Sequence, residues 1–300
     1  MTESCKSLAI VGLGRVGTAL AILLWRQGFH SLRVCDHNPA KVNNLKELID
    51  GSIVACSTPA ETVAGAELVF LAVQDRYISK VAISLAEAAQ NTAVAGCFFA
   101  HLSGSLTSAV LEPLAARDAI TYSLHPLQSM ADVEGAVKVL AGSYFSFEGD
   151  DRAFPVAQTL VAALGGNLIR LAASDKVLYH AAAVVSSNFF IALEEMAITM
   201  MTGIGVDADT ARRMLLPLIR GSFENLERVS PVEALTGPIV RGDDQTVAAH
   251  LTALQDKFPD YVSAYLLLAG LNVDLATQKG EFTYADFPSL NFKPETLIRL

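Results

Sequence analysis

Over the first half of the chain apolar residues gather in short runs: "SLAIV" (7–11), "SLRVC" (31–35), "SIVAC" (52–56), "ELVFLAV" (67–73), "AVAGCFF" (93–99) and "AITYSL" (119–124). Between several of them lie stretches of about 10 to 15 residues whose apolar positions recur at helical spacing. This alternation predicts βαβ units and a doubly wound, mostly parallel sheet, because two parallel strands need a crossover long enough to hold a helix. Thr58-Pro59-Ala60-Glu61 reads as a capping box with proline at the first helical position, so a helix start is expected directly after the third run. After "GSYFSFEGDD" (142–151) come a helix-like stretch, an "LGG" turn (164–166) and a last short strand-like run, "NLIRL" (167–171). From about residue 173 long helical periodicity takes over, broken at "TGIGVD" (202–207), "VSPVEALTGPIVRGDD" (229–244) and "KFPD" (257–260). The expected fold is therefore an α/β domain over 1–172 followed by an all-α domain over 173–300. The end of the chain from Gly280, with Pro288 and Pro294, reads as irregular and wrapped on the surface.

The first apolar run ends in "GLGRVG", which sets Gly12, Gly14 and Gly17 between a strand and an apolar helix that ends near Gly28. In that context the three glycines allow, in order, a tight turn, close approach of a pyrophosphate to the backbone, and close packing of helix on strand. Arg15 and Val16 then occupy the helix start, whose free N–H groups attract phosphate. Asp36, 19 residues after Gly17 at the end of the second run, is placed to accept hydrogen bonds from an adenosine ribose. Its charge favours NAD over NADP, with Arg33, His37 and Lys41 as nearby cations that keep NADP within reach. Val73 and Gln74, at the end of the fourth run, are expected to border the same dinucleotide.

A second pattern breaks the apolar periodicity of "KVLYHAAAVVSSN" (176–188). On a 3.6-residue helix Lys176, His180 and Ser187 fall within roughly 60° of one another, with Asn188 at the margin. One face is polar and the rest is Ala, Val and Leu, so the stripe is expected to line something enclosed. A lysine there loses hydration, which lowers its pKa and suits it to donate a proton. Ligands of such sheets lie at the carboxyl ends of the strands, where His101 of "HLSGS" and His125 of "HPLQS" follow the fifth and sixth runs. A third cluster, "ALTGPIVRGDDQTVAAH" (234–250), brings Arg241, Asp243, Thr246 and His250 toward a pocket mouth, with Arg241 suited to a substrate carboxylate. The "RGD" within it carries little weight in a chain expected to be cytoplasmic.

Composition narrows the classes. With 22 Lys and Arg against 31 Asp and Glu, a net charge of -9 offers no footprint for nucleic acid or anionic lipid. A mean hydropathy of +0.38 fits an Ala-rich folded protein with much internal or intersubunit surface. The four cysteines, Cys5, Cys35, Cys56 and Cys97, form no C-x-x-C pair, and three fall in the strand runs. Reduced thiols in a cytoplasm fit best, and no metal site is expected. The polar start of the chain runs straight into glycines and does not read as a signal peptide. Residues 177–193 are interrupted by His, Ser and Asn, and 261–271 are too few to span a bilayer. "YVSAYLLLAGL" (261–271) is more apolar than a small domain need bury, so a homodimer is expected.

As an ordered set, "GLGRVG", "HLSGS", "HPLQS", "KVLYHAAAVVSSNFF", "PLIRGSFENL" and "ALTGPIVRGD" resemble the NAD(P)-binding oxidoreductases that pair a Rossmann-like domain with a helical domain of unassigned function (DUF2520). These are relatives of the 6-phosphogluconate and β-hydroxyacid dehydrogenases, ketopantoate reductases and pyrroline-5-carboxylate reductases. The resemblance spans most of the chain. It implies that Lys176, which matches a helix-opening lysine of ketopantoate reductases and β-hydroxyacid dehydrogenases, acts as proton donor. An asparagine about one turn on is replaced by His180, and an asparagine appears only at 188; the late substrate-binding glutamate has no clear counterpart, with His250 in that region. The implied function is hydride transfer between nicotinamide and a small oxo or hydroxy acid, or a related carbonyl or imine, held between the domains. Lys176, His180 and Asn188 would serve catalysis, and Ser187, Arg241, His125 and His101 would hold the substrate. The alternative is a non-catalytic NAD(H)-binding sensor or scaffold, supported by the missing asparagine after Lys176.

Overall fold

The structure, a computed structural model, describes residues 7–49, 53–89 and 94–290; Cys5 and Pro294 lie outside the described residues. Eight strands form one sheet in the order β3-β2-β1-β4-β5-β6-β7-β8. They are β1 (Leu8–Val11), β2 (Leu32–Cys35), β3 (Val54–Ala55), β4 (Leu68–Leu71), β5 (Phe98–His101), β6 (Ile120–Pro126), β7 (Tyr144–Gly149) and β8 (Asn167–Arg170). Every pairing from β3 across to β6 is parallel, β6 meets β7 antiparallel, and β8 runs parallel to β7. The crossovers are α1 (Arg15–Arg26), α2 (Pro39–Leu48), α3 (Pro59–Val63), α4 (Asp75–Ala88), α5 (Glu112–Ala115), α6 (Val133–Leu140) and α7 (Phe154–Ala163). All four residues of β1 and of β4 are buried, as a parallel strand covered on both faces requires. Alternate side chains feed two apolar layers, one with Ile10, Phe70 and Tyr122, the other with Val11, Val69 and Phe99.

The helix expected after the third run forms, with Thr58 as its N-cap accepting from the Glu61 N–H at 3.2 Å; the Glu61 carboxylate reaches back to the Ser57 N–H. The fifth strand starts later than its apolar run suggested. Gly96 turns the chain with φ 73° and donates its N–H to Asp118, so pairing begins at Phe98. His101 is consequently the last residue of β5, and His125 lies inside β6, where both were expected to follow their strands.

The chain divides into two compact units, Met1–Asn188 and Phe189–Leu300. The helix expected to open the helical half, α8 (Lys176–Val184), therefore belongs with the sheet. The physical reason is its first residue: the Lys176 ammonium hydrogen-bonds Ser103 and Ser123 of the sheet layer. Val185–Phe189 then forms a π-turn.

The second unit holds α9 (Phe190–Thr202), α10 (Ala208–Arg228), α11 (Pro231–Ala234), α12 (Asp244–Lys257) and α13 (Val262–Lys279). Asp207 caps α10, Ser230 and Glu233 form a capping box on α11, and α13 stops at Gly280 with φ 80°. The described part of the terminal stretch is not laid on the surface: Phe287 and Leu290 are buried with Ile239, Val247 and Val273. The run Ala173–Thr202 is 30 residues long and holds an 18-residue window of mean hydropathy 1.4, so by length and composition it could cross a bilayer. The average is high although Lys176, His180, Ser186, Ser187 and Asn188 interrupt the run, so by composition alone these interruptions do not exclude a span, contrary to what was expected of 177–193.

Candidate active site

Beside the β1–β4 junction, where the strand order reverses, the glycine turn has the shape its sequence implied. Gly12 takes φ +100°, and a Cβ there would stand 2.7 Å from the Ala72 carbonyl oxygen. At Gly17 a Cβ would meet the Gly12 carbonyl oxygen at 2.1 Å, so helix α1 can pack this closely only on glycine. Gly14 faces open space instead, with no atom within 4 Å of its missing Cβ. It is the N-cap of α1 and supplies no side-chain cap, so the Arg15 and Val16 N–H groups stay available to an anion. The residues fit a dinucleotide pyrophosphate at this turn: a side chain at 14 would fill the cradle. The Arg15 side chain is turned away, donating to the Met130 carbonyl at 2.8 Å. Val73 is half-buried and Gln74 exposed after β4, with Gln74 opening α4.

Asp36 is built into the turn. Its carboxylate accepts the Leu13 N–H at 2.7 Å and the Asn38 N–H at 2.9 Å, and pairs with Lys41 at 3.3 Å and His37 at 3.1 Å. Burial works to raise its pKa, but the two N–H donors and Lys41 outweigh it and hold the group below the usual carboxylate range. The side chain is only 3% exposed. Asp36 thus braces the loop from within, and its carboxylate is already engaged by Lys41 and the His37 ring. Arg33 is not one of them, since its guanidinium donates to the Glu61 and Thr62 carbonyls.

At the carboxyl ends of β5 and β6 the first unit gathers a second cluster. Lys176 is fully buried, and its ammonium donates to the Ser123 hydroxyl at 2.7 Å and the Ser103 carbonyl at 3.2 Å. The Ser123 hydroxyl donates to the same carbonyl at 3.2 Å. Burial lowers the Lys176 pKa, opposed by the negative charges of Glu148 and Asp75. The Ser103 hydroxyl in turn donates to Asp75 at 2.6 Å and accepts the Leu106 N–H at 3.1 Å. Loop 101–106 is thereby fixed from three sides. The expectation that Lys176 lines a wall as proton donor meets a physical obstacle: its head group is sealed beneath the loop.

His101 is likewise enclosed. Its Nδ1 accepts the Ser103 N–H at 3.2 Å, which leaves the proton on Nε2, 3.1 Å from the Thr107 carbonyl. Both nitrogens hold the loop and none faces a substrate, which corrects its expected contact role. Burial drives its pKa down to about 4. His125 is different. Its Nδ1 lies 3.0 Å from the Tyr179 hydroxyl, and its ring meets that of His180 edge-on, with centroids 5.8 Å apart. Burial, followed by the charges of His180 and Lys176, lowers His125 to about 4. Gly104 sits against both rings: a Cβ there would lie 2.5 Å from His180 Nδ1 and 2.9 Å from His125 Nε2. The His180 Nδ1 is buried without a hydrogen-bond partner.

The rest of the polar stripe opens outward, with Ser187 half-buried and Asn188 exposed. The π-turn alters the stripe's phase. It closes i→i+5 bonds, taking about one residue more per turn than an α-helix, so Asn188, roughly 120° from Lys176 on an uninterrupted helix, swings back toward the His180 side. In the second unit Arg241 is exposed on a short 3-10 turn. Asp243 caps α12 through Thr246, and His250 bonds the Tyr265 hydroxyl at 2.8 Å; each is accounted for by local structure. Among the described residues no three His, Cys, Asp or Glu side chains group as metal ligands. Asp75, Ser103, Gly104, Ser123 and Tyr179 were not singled out from sequence. Ser103 and Gly104 lay inside the noted "HLSGS", and Tyr179 inside the noted helix.

A Rossmann-like domain model matches residues 1–126, and a model of the domain of unknown function DUF2520 matches residues 143–271. The chain joins a Rossmann-like domain to a DUF2520 domain. The Rossmann-like match contains the glycine turn, Ser103 and His125, while the DUF2520 match begins before β7 and contains Lys176, Tyr179 and His180. No curated protein matches the chain. Among solved structures, protein TM1727 from Thermotoga maritima is 26% identical with a TM-score of 0.71, covering 91% of this chain and 99% of its own. Pyrroline carboxylate reductase from Plasmodium falciparum, solved with NADP bound, is 14% identical with a TM-score of 0.60, covering 93% and 98%. A reductive aminase from Aspergillus terreus, in complex with NADPH and ethyl levulinate, is 19% identical with a TM-score of 0.61, covering 92% and 95%. At the two lower identities the likeness is one of fold.

Proposed function

We propose that this Rossmann-like and DUF2520 protein is an NAD(P)-dependent oxidoreductase acting on a small oxo or hydroxy acid, or on the related imine. The observation that carries the reading is the pairing, within one unit, of an open phosphate cradle at Gly14 with a histidine pair at the carboxyl ends of β5 and β6. The glycine turn and the start of α1 hold the pyrophosphate, and Asp36 braces that turn. A bound nicotinamide supplies or accepts the hydride. His125 and His180 face the reacting group, and Ser187 and Asn188 orient it from the outer part of the stripe. The NADP in the pyrroline carboxylate reductase structure and the NADPH in the reductive aminase structure support a nicotinamide dinucleotide here. Free Cys35 and Cys56 support a reducing, cytoplasmic setting.

The assembly we propose is a homodimer. Val177, Leu178, Val185 and Ile191 are 59% to 76% exposed along the Ala173–Thr202 run, an apolar face that a monomer would leave to water. A second copy can cover such a face isologously, whereas the net charge of -9 disfavours an anionic membrane surface.

Titration with NADH and NADPH by cofactor fluorescence, followed by turnover against a panel of small oxo acids and cyclic imines, tests the function. Binding of at least one dinucleotide and hydride transfer to one substrate class are expected. Failure to bind either dinucleotide overturns the reading.

A further inference from the structure

The histidine pair poses a problem of its own. His180 Nδ1 is a buried polar atom with no partner, and leaving such a group unmatched costs about 1–3 kcal/mol. It is aimed at the place that His125 Nε2 also faces, the bare Cα of Gly104. On the other side of the His125 ring, Nδ1 is already engaged by the Tyr179 hydroxyl at 3.0 Å. Three groups therefore stand together: a phenol, an imidazole bonded to it, and a second imidazole packed edge-on against the first, whose buried Nδ1 has no partner. Tyr179 as a residue is half-buried.

We propose that Tyr179, His125 and His180 form a proton relay that serves the substrate from His180, an inference that rests on the oxidoreductase reading and assigns its proton path. In the relay His180 carries a proton on Nε2, which leaves its unpartnered Nδ1 to accept one. With Tyr179 as donor to His125 Nδ1 in the relay, His125 also carries its proton on Nε2, the nitrogen that borders Gly104 as His180 Nδ1 does. As a carbonyl substrate's oxygen becomes an alkoxide, the His180 Nε2–H bond breaks toward that oxygen. His180 Nδ1 takes the proton of His125 Nε2, and His125 Nδ1 takes the phenolic proton. The Tyr179 phenolate is then reprotonated by water. The substrate gains one proton and solvent loses one; both rings are left as the Nδ1–H tautomer, and each regains its starting form by losing the Nδ1 proton to water and taking one at Nε2, with no net proton exchanged. The groups around His125 are consistent with a neutral ring: burial sets the direction, His180, Lys176 and His101 add to it, and Asp75 alone opposes them.

Nitrogen-15 labelling of histidine in the full chain, read by long-range proton–nitrogen NMR at neutral pH without cofactor, reports each tautomer directly. The proposal expects His125 and His180 both to be protonated on Nε2. In Tyr179→Phe, which keeps the ring but removes the donor, the His125 population moves toward Nδ1–H and the His180 Nδ1 resonance shifts. A proton on His125 Nδ1 or on His180 Nδ1 in the native protein overturns the relay, as does a Tyr179→Phe spectrum unchanged at both rings. With a turned-over substrate, His180→Asn lowers kcat by about 10²- to 10⁴-fold. Tyr179→Phe lowers kcat while KM is kept, and a Tyr179→Phe kcat equal to the native value overturns the relay. Absence of turnover with every substrate counts against the oxidoreductase reading alone, because the tautomers are measured without it.

Discussion

A single buried side chain changes what the polar stripe means. Lys176 looked like a wall residue because helical spacing reports which positions share a face, and spacing says nothing of what lies across from that face. The loop that covers it is held by Asp75 and His101, far away in sequence and visible only once β4 and β5 are paired. His125 and His180 were legible as polar intrusions, and their meeting over Gly104 was not. The buried rings have a consequence for stability. His101 and His125 are drawn down to about 4 from 6.5, so between those values the unfolded chain binds protons that the folded chain refuses. Stability is then fully present above pH 6.5 and is lost as the pH falls toward 4. Every tenfold weakening of proton binding on folding corresponds to about 1.4 kcal/mol per ring. The melting temperature is expected to fall steeply across that window, and less steeply in His125→Asn. A melting temperature level from neutral pH down to about 4.5 would contradict the burial of these rings.

Among the elements, the strands read well where a run was short and ended in glycine, as at β1, and poorly where a glycine lay inside the run. Gly96 at φ 73° cut the fifth run and delayed β5 to Phe98. The pairing of β6 with β7 in opposite directions had no signal at all, because a helix stands between them as it does between parallel neighbours. Asp36 belongs at this scale as well. Sequence spacing put it at the end of β2, and the structure makes it part of the glycine turn through the Leu13 N–H. Asp36→Ala is therefore expected to weaken NADH and NADPH together, by about 1 kcal/mol for the part-buried Leu13 N–H it leaves unpaired, instead of exchanging one preference for the other. Parallel titrations of both dinucleotides decide: a variant that loses NADH and gains NADPH would show the carboxylate acting on the ribose directly.

For the whole molecule, two units and two family matches divide the chain at different places. The expected boundary at 172 followed the change from strands to helices, whereas the contacts divide the chain after Asn188. The homodimer was expected from residues 261–271, yet Ala269 and Gly270 in that stretch are buried and the larger exposed apolar face runs along Ala173–Thr202. Light scattering without detergent is expected to give twice the 31.9 kDa of one chain, and Leu178→Glu, on a side chain 76% exposed, is expected to return it to one. A native particle of single-chain mass, or one that requires detergent to stay dispersed, would refute the dimer. The histidine and lysine cluster draws Ser103, Ser123 and His125 from the Rossmann-like match and Lys176, Tyr179 and His180 from the DUF2520 match. Shuffling genes at the seam between the two matches would therefore divorce a lysine from its acceptors and one imidazole from the other, so recombination has had reason to pass the two segments on as a single inheritance.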